Sequence, residues 1–151
     1  MPVRSRFAVA LMGACLCIHP TGIFAADQEH TRDALNALGR EMSTCSAFFA
    51  LASSVLKNAL PNDPDTLVSR YDAAGKVMFA QASAIADVLG LEPDVVVGWS
   101  RSAMGNMVEE INADPKNSAA LMTRKYDEPC QMLLKDSASR FRDLVDHGMP
   151  D

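Results

Sequence analysis

The strongest constraint on the fold is a long amphipathic segment from Asp27 to Leu60. Its apolar and small residues recur at alternating spacings of three and four, which places them on one face of an α-helix. The other face is polar, so this helix is not a membrane span and must bury its apolar face against the rest of the chain. The apolar face comprises Leu35, Leu38, Met42, Cys45, Phe49, Ala52 and Leu56, flanked by Phe48, Leu51 and Val55, and the polar face comprises Arg32, Asn36, Arg40, Ser43 and Ser54.

Residues 1–25 have the features of a cleaved secretory signal peptide. Arg4 and Arg6 precede an apolar run from Phe7 to Ile18, and Ala25 offers a small residue for cleavage. The apolar run is too short for a transmembrane anchor. We therefore expect a periplasmic or secreted protein, with bacterial export assumed.

The sequence Met12-Gly13-Ala14-Cys15 leaves one alternative, because small residues before a cysteine are also found in bacterial lipoprotein signals. The apolar run before Cys15 is short. We therefore interpret Cys15 and Cys17 as part of the discarded leader rather than as a lipid attachment site.

The segment 26–151 has 126 residues, which suits a single domain with a hydrophobic core. Removing the leader takes away two arginines and no acidic residue, so the formal net charge changes from −5 to −7. This acidic balance argues against nucleic acid and anionic lipid as partners, because both are bound largely through Lys and Arg. We expect no membrane insertion after the leader is cleaved.

Three further helices are predicted, each beginning near a proline. Asp63-Pro64 and Asp114-Pro115 combine a capping residue with a proline suited to the first helical position, and Pro93 opens the third helix. Gly90 is typical of a helix end. The apolar residues of the second helix are Leu67, Tyr71, Ala74, Met78, Ala82, Ile85 and Leu89, and those of the third are Val96, Trp99, Ala103, Met107 and Ile111.

The last predicted helix contains Pro129 and ends at Gly148. A proline inside a helix removes the hydrogen bond to the residue four positions back, here Lys125, so we expect a kink or a break near Pro129. No strand pattern competes with the helices. The sequence thus predicts an all-α fold: an antiparallel four-helix up-and-down bundle with a kinked or broken last helix. The apolar residues of that helix are Leu121, Met122, Tyr126, Cys130, Leu133, Leu134, Phe141 and Leu144, with Ser137 on the same face.

Two cysteines remain outside the leader, Cys45 and Cys130, and each lies on a predicted apolar face. Cys45 is fifteen residues before Leu60 and Cys130 is fifteen residues after Pro115. In an up-and-down bundle the first and last helices are antiparallel neighbours, so the two cysteines should lie at the same depth. We predict a structural disulfide between them, and two buried free thiols are the alternative.

The third helix also has small residues on one face, at Gly98, Ser102 and Gly105. Glycine inside a helix costs about 1 kcal/mol relative to alanine, so a packing use is expected. We predict that another helix contacts this groove, either within the bundle or in a homodimer. A ligand in the groove is the other interpretation.

His30 and His147 are predicted to reach the same end of the bundle. With nearby carboxylates or the thioether of Met149 they could hold zinc or copper. The competing interpretation is two solvated histidines near the chain ends of an acidic protein.

No catalytic arrangement is found in the sequence: the serines lack a nearby histidine and acid, and a nucleophile elbow is missing. Haem-attachment and di-iron patterns are missing too, so no cofactor is predicted. The leading interpretation is a non-enzymatic bundle that binds a protein partner or a small apolar ligand. A metal- or cofactor-binding bundle using His30 and His147 is the second, and an enzyme is the third.

Overall fold

A computed structural model of the protein describes residues 21–59 and 67–148, with side chains from residue 28 onward. These ranges are helical apart from short turns and contain no strand, which confirms the all-α prediction. Residues 1–20 of the predicted leader, the Asp63-Pro64 helix start and Met149 lie outside the described residues. The elements are α1 (Thr21–Ala59), α2 (Leu67–Leu89), α3 (Pro93–Ala113), α4 (Ser118–Met122), a π-helical turn (Thr123–Asp127), α5 (Glu128–Lys135) and α6 (Ser137–His147).

Helix α1 lies at the centre of the fold and packs against α2, α3, the π-helical turn, α5 and α6. Five consecutive residues, 45–49, are buried, which an amphipathic helix with one wet face would not show. The prediction that Ser43 lies on the polar face is wrong, because Ser43 is fully buried. Its hydroxyl donates a hydrogen bond to the carbonyl of Gly39 at 2.8 Å and so needs no water.

Helices α1 and α2 approach closely at two glycines. A Cβ atom added at Gly39 would lie 3.3 Å from Ile85 of α2 and 3.3 Å from Trp99 of α3. One added at Gly75 would lie 3.4 Å from Phe49 and 3.4 Å from the carbonyl oxygen of Ser46. The core between these helices is therefore built on glycine and alanine as well as on large side chains.

The turn between α2 and α3 forms as the sequence predicts. Gly90 has a φ of 69°, a left-handed conformation that favours glycine. Its amide donates to the carbonyl of Asp87, and the amide of Leu91 donates to that of Ala86, the paired bonds of a Schellman motif. Leu91 also packs on the core, and α3 begins at Pro93.

The last helical segment begins later than predicted. Asp114 follows α3, and its carboxylate accepts hydrogen bonds from the backbone amide and the side-chain amide of Asn117. This bonding holds a turn over residues 115–117, so α4 starts at Ser118 rather than at Pro115.

The irregularity expected near Pro129 takes the form of the π-helical turn that precedes it. The amide of Glu128 bonds the carbonyl of Thr123, five residues back, so the backbone widens just before the proline and stays helical through it. The helix is interrupted at Asp136 instead, which ends α5. Its carboxylate accepts a hydrogen bond from the amide of Ser139 at 2.9 Å and caps α6.

Candidate functional site

The Cys45–Cys130 disulfide lies at the centre of the candidate site, and its prediction is confirmed. The two Cα atoms are 5.3 Å apart, and both residues are buried. The bond joins α1 to α5 immediately after Pro129. It therefore fixes the segment that follows the π-helical turn against the central helix.

A bidentate ion pair lies one helical turn from the disulfide. Nε and Nη2 of Arg140 donate hydrogen bonds to the two carboxylate oxygens of Glu41, at 2.9 and 2.6 Å. Hydrogen bonding to Glu41 raises the pKa of Arg140, and the negative charges of Glu41 and Asp143 act in the same direction. This pair joins α1 to α6 and positions one wall of a cleft.

The cleft, named here the disulfide cleft, has a volume of about 760 Å³ between α1, the π-helical turn, α5 and α6. Its buried lining is apolar, and its charged lining residues are exposed or half-buried. The site thus combines an apolar floor with a polar rim. The floor comprises Ala37, Cys45, Tyr126, Cys130 and Leu133, the exposed apolar edge is Pro129 and Met132, and the charged rim comprises Arg40, Glu41, Lys125, Asp136, Arg140 and Asp143.

The π-helical turn is held by two tyrosine–carboxylate contacts. The hydroxyl of Tyr126 donates to Glu110 at 3.2 Å, and that of Tyr71 donates to Asp127 at 3.0 Å. Burial is the main cause of a raised pKa at both tyrosines, and the neighbouring carboxylates raise it further. The Tyr126 ring stacks on Phe48 with centroids 6.1 Å apart, so the turn is anchored to α1, α2 and α3.

Arg40 lies on the rim of the disulfide cleft with its guanidinium carbon 5.4 Å from the centre of the Trp99 ring. A cation–π contact of this kind leaves guanidinium N–H groups available for hydrogen bonds. Within residues 28–59 and 67–148, Arg40 is in no ion pair. It also lines the neighbouring cleft.

This second cleft, named here the histidine cleft, has a volume of about 690 Å³. His30 from α1 and His147 from α6 both line it, together with Asp33 and Asp146. The structure thus brings the two histidines to one cleft. Among the described residues, however, no three His, Cys, Asp or Glu side chains come together in a way that could hold a metal ion.

The small residues Gly98, Ser102 and Gly105 are exposed on α3. A Cβ atom added at Gly98 or Gly105 would have no described atom within 4 Å. No helix of the described part of the chain covers this groove, so contact with a second copy stays a prediction.

Sequence reasoning missed the helix cap at Asp136 and the Arg40–Trp99 contact at the site, and the buried Gly75 in the core. Asp136 could have been found from its residue type, since aspartate is a preferred N-cap residue whose side chain accepts a backbone amide of the first turn. Gly75 has the right spacing to Met78 and Ala82 to belong to the buried face of α2. The contact of Arg40 with Trp99 has no sequence signal, because the residues are far apart in the chain.

No helix of the described residues is both long enough and apolar enough to cross a membrane. Searches of protein-family models, curated proteins and solved structures return no match to this chain. The two clefts and their side chains are therefore the features from which function is inferred.

Proposed function

We propose that the protein is a non-enzymatic, exported helical protein that binds a small apolar ligand in the disulfide cleft. The supporting observation is the cleft itself: its volume of about 760 Å³ lies within the range of roughly 300–1,000 Å³ common for small-molecule sites. Its apolar floor would take up hydrocarbon, and its charged rim would remain in water. A disulfide in the floor suits an oxidising compartment outside the cytoplasm.

The proposal includes an antiparallel up-and-down arrangement in which α4, the π-helical turn, α5 and α6 occupy the place of a fourth helix. Several contacts support it. Ser53 of α1 donates a hydrogen bond to Val68 near the start of α2, and Arg32 of α1 donates one to Leu89 at the end of α2. Residue numbers therefore fall along α1 as they rise along α2, which supports an antiparallel pair. The disulfide and the Glu41–Arg140 pair give the same opposite order for the last segment.

Binding of the neutral apolar dye Nile red tests the proposed function. Met132 is an apolar residue at the cleft edge and is 66% exposed, so Met132→Asp should spare the core and weaken dye binding about tenfold. Val88→Asp is the matched control, because Val88 is 75% exposed on α2 and does not line the cleft. Failure of the protein to bind any neutral apolar probe, or equal weakening by both substitutions, would contradict the proposal.

A zinc or copper site is the second candidate, favoured by the position of His30 and His147 on one cleft. Two imidazoles are suitable ligands for either metal, and Asp33 and Asp146 line the same cleft. Titration with zinc should show binding that His147→Ala abolishes. Asn106→Ala is the control, because Asn106 is exposed on α3 and does not line the histidine cleft. Unchanged zinc affinity in His147→Ala would remove this candidate.

A further inference from the structure

We propose that the disulfide cleft selects amphipathic carboxylates, with the carboxylate on Arg40 and the hydrocarbon tail along the floor beside Cys45–Cys130. This inference rests on the proposed function and adds the chemical class of the ligand.

Two of the three cations of the rim already have partners. Arg140 is held by both carboxylate oxygens of Glu41, and Lys125 pairs with Glu110. The rim carboxylates of Asp136 and Asp143 are in no ion pair among the described residues: Asp136 accepts the amide that begins α6, and the charge of Asp143 raises the pKa of Arg140. Arg40 is the rim cation that no described carboxylate neutralises.

The contact of Arg40 with Trp99 prepares it for a planar anion. The guanidinium carbon lies 5.4 Å from the centre of the indole ring, a cation–π contact that limits the orientations of a long side chain. The N–H groups in the plane of the guanidinium match the two oxygens of a carboxylate. With a neutral ligand the guanidinium N–H groups of Arg40 would donate only to water. A cationic ligand would be repelled by the positive charge of Arg40.

The apolar part of the ligand has a defined path. Arg40 lines the same cleft as Cys45 of α1 and Leu133 of α5, so a ligand whose head group binds Arg40 could place its tail between α1 and α5. Leu133 and the disulfide form the buried side of that space, and Met132 forms its exposed edge. The polar head and the tail therefore have separate surfaces, as an amphipathic anion requires.

Octanoate, 1-octanol and octylammonium test the inference, because they share one tail and differ in head group. We expect octanoate to bind the purified protein about tenfold more tightly than 1-octanol, a difference typical of a charge-assisted hydrogen bond, and octylammonium to bind most weakly. Trp99 is the only tryptophan of the chain, so its fluorescence reports the head-group site directly. Calorimetry gives the affinities of variants whose fluorescence is altered.

Arg40→Gln should lower octanoate affinity to that of 1-octanol and leave 1-octanol affinity unchanged. Arg101→Gln is the matched control, because Arg101 is exposed on α3, lines neither cleft and carries the same charge. Melting curves of both variants confirm that the fold is retained.

The outcomes separate the two proposals. Equal binding of all three probes, with no effect of Arg40→Gln, overturns the carboxylate selection and leaves the apolar cleft standing. Binding of none of the probes overturns both. A preference for a short peptide with a free carboxyl terminus over octanoate would assign the cleft to peptides and also overturn the inference.

Discussion

Glu41 and Arg140 face each other across the α1–α6 contact and form two hydrogen bonds although they are 99 residues apart in sequence. The side chains are 32% and 30% exposed, so the pair is partly shielded from water. Glu41 precedes Cys45 by one helical turn, which places the pair and the disulfide on the same side of α1. The disulfide therefore holds α5 against α1, and the ion pair holds α6 against α1.

The disulfide should contribute substantially to stability. Reduction, or Cys45→Ala, is expected to lower the free energy of unfolding by about 2–5 kcal/mol, because the bond closes a long loop in the unfolded chain. Denaturant titration followed by circular dichroism measures the change. An unchanged midpoint, or two free thiols in the unfolded and never-reduced protein, would contradict the prediction.

The ion pair should contribute less. We expect Arg140→Gln to cost about 1 kcal/mol, since a bidentate and half-buried pair exceeds the median surface pair. Lys76→Gln is the control, because its pair with Asp72 is 77% and 54% exposed and should contribute no more than about 0.5 kcal/mol. If both substitutions lower the denaturation midpoint equally, the half-buried pair contributes no more than the exposed pair, and the prediction is wrong.

Replacement by leucine should affect stability differently at two helical glycines. Gly39→Leu is expected to destabilise the fold by about 1–3 kcal/mol through overpacking against Ile85 and Trp99. Gly105→Leu should leave the monomer's fold intact, because the position has no described neighbour and leucine favours helix over glycine.

The same substitution tests the predicted homodimer. If a second copy contacts the face containing Gly98, Ser102 and Gly105, Gly105→Leu should shift the protein towards monomer in sedimentation experiments. Val88→Leu on α2 serves as the control for added apolar surface. If the wild-type protein is monomeric at all accessible concentrations, the homodimer prediction is wrong.

Alkaline pH should reveal the two shielded tyrosine hydroxyls. Tyr71 and Tyr126 are the only tyrosines of the chain, and both have a pKa raised above 10 in the folded state. The unfolded chain loses these protons first, so stability is unchanged below about pH 10 and falls as pH rises from 10 towards the folded pKa values. Tyrosinate absorbance should appear later in the folded protein than in denaturant, and coincident titrations would refute this.

Local signals predicted the helix ends well. Gly90, Pro93 and Gly148 act through backbone constraints that need no distant partner, and all three lie where the sequence places them. Cys45 and Cys130 could be paired because, in an up-and-down bundle, distance along the sequence predicts depth in the fold.

Features that depend on tertiary contacts escaped prediction. The periodicity of α1 indicates one apolar face, but burial of Ser43 depends on how many neighbours surround the helix. The apolar pattern of the sequence continues across Asp136 and so predicts an unbroken helix. In the structure the Asp136 side chain caps α6, and α5 ends there. Arg40 and Trp99 meet only because α1 and α3 pack together.

The Cys45–Cys130 bond divides the chain into a covalent ring and two open arms. A single backbone cut inside the ring, for example in the Gly90 turn, would leave both pieces attached until the bond is reduced. After a cut in either arm, the terminal fragment would be held only by non-covalent contacts. His30 and His147 lie on opposite arms, so the histidine cleft is the part of the molecule that can separate while the ring stays closed.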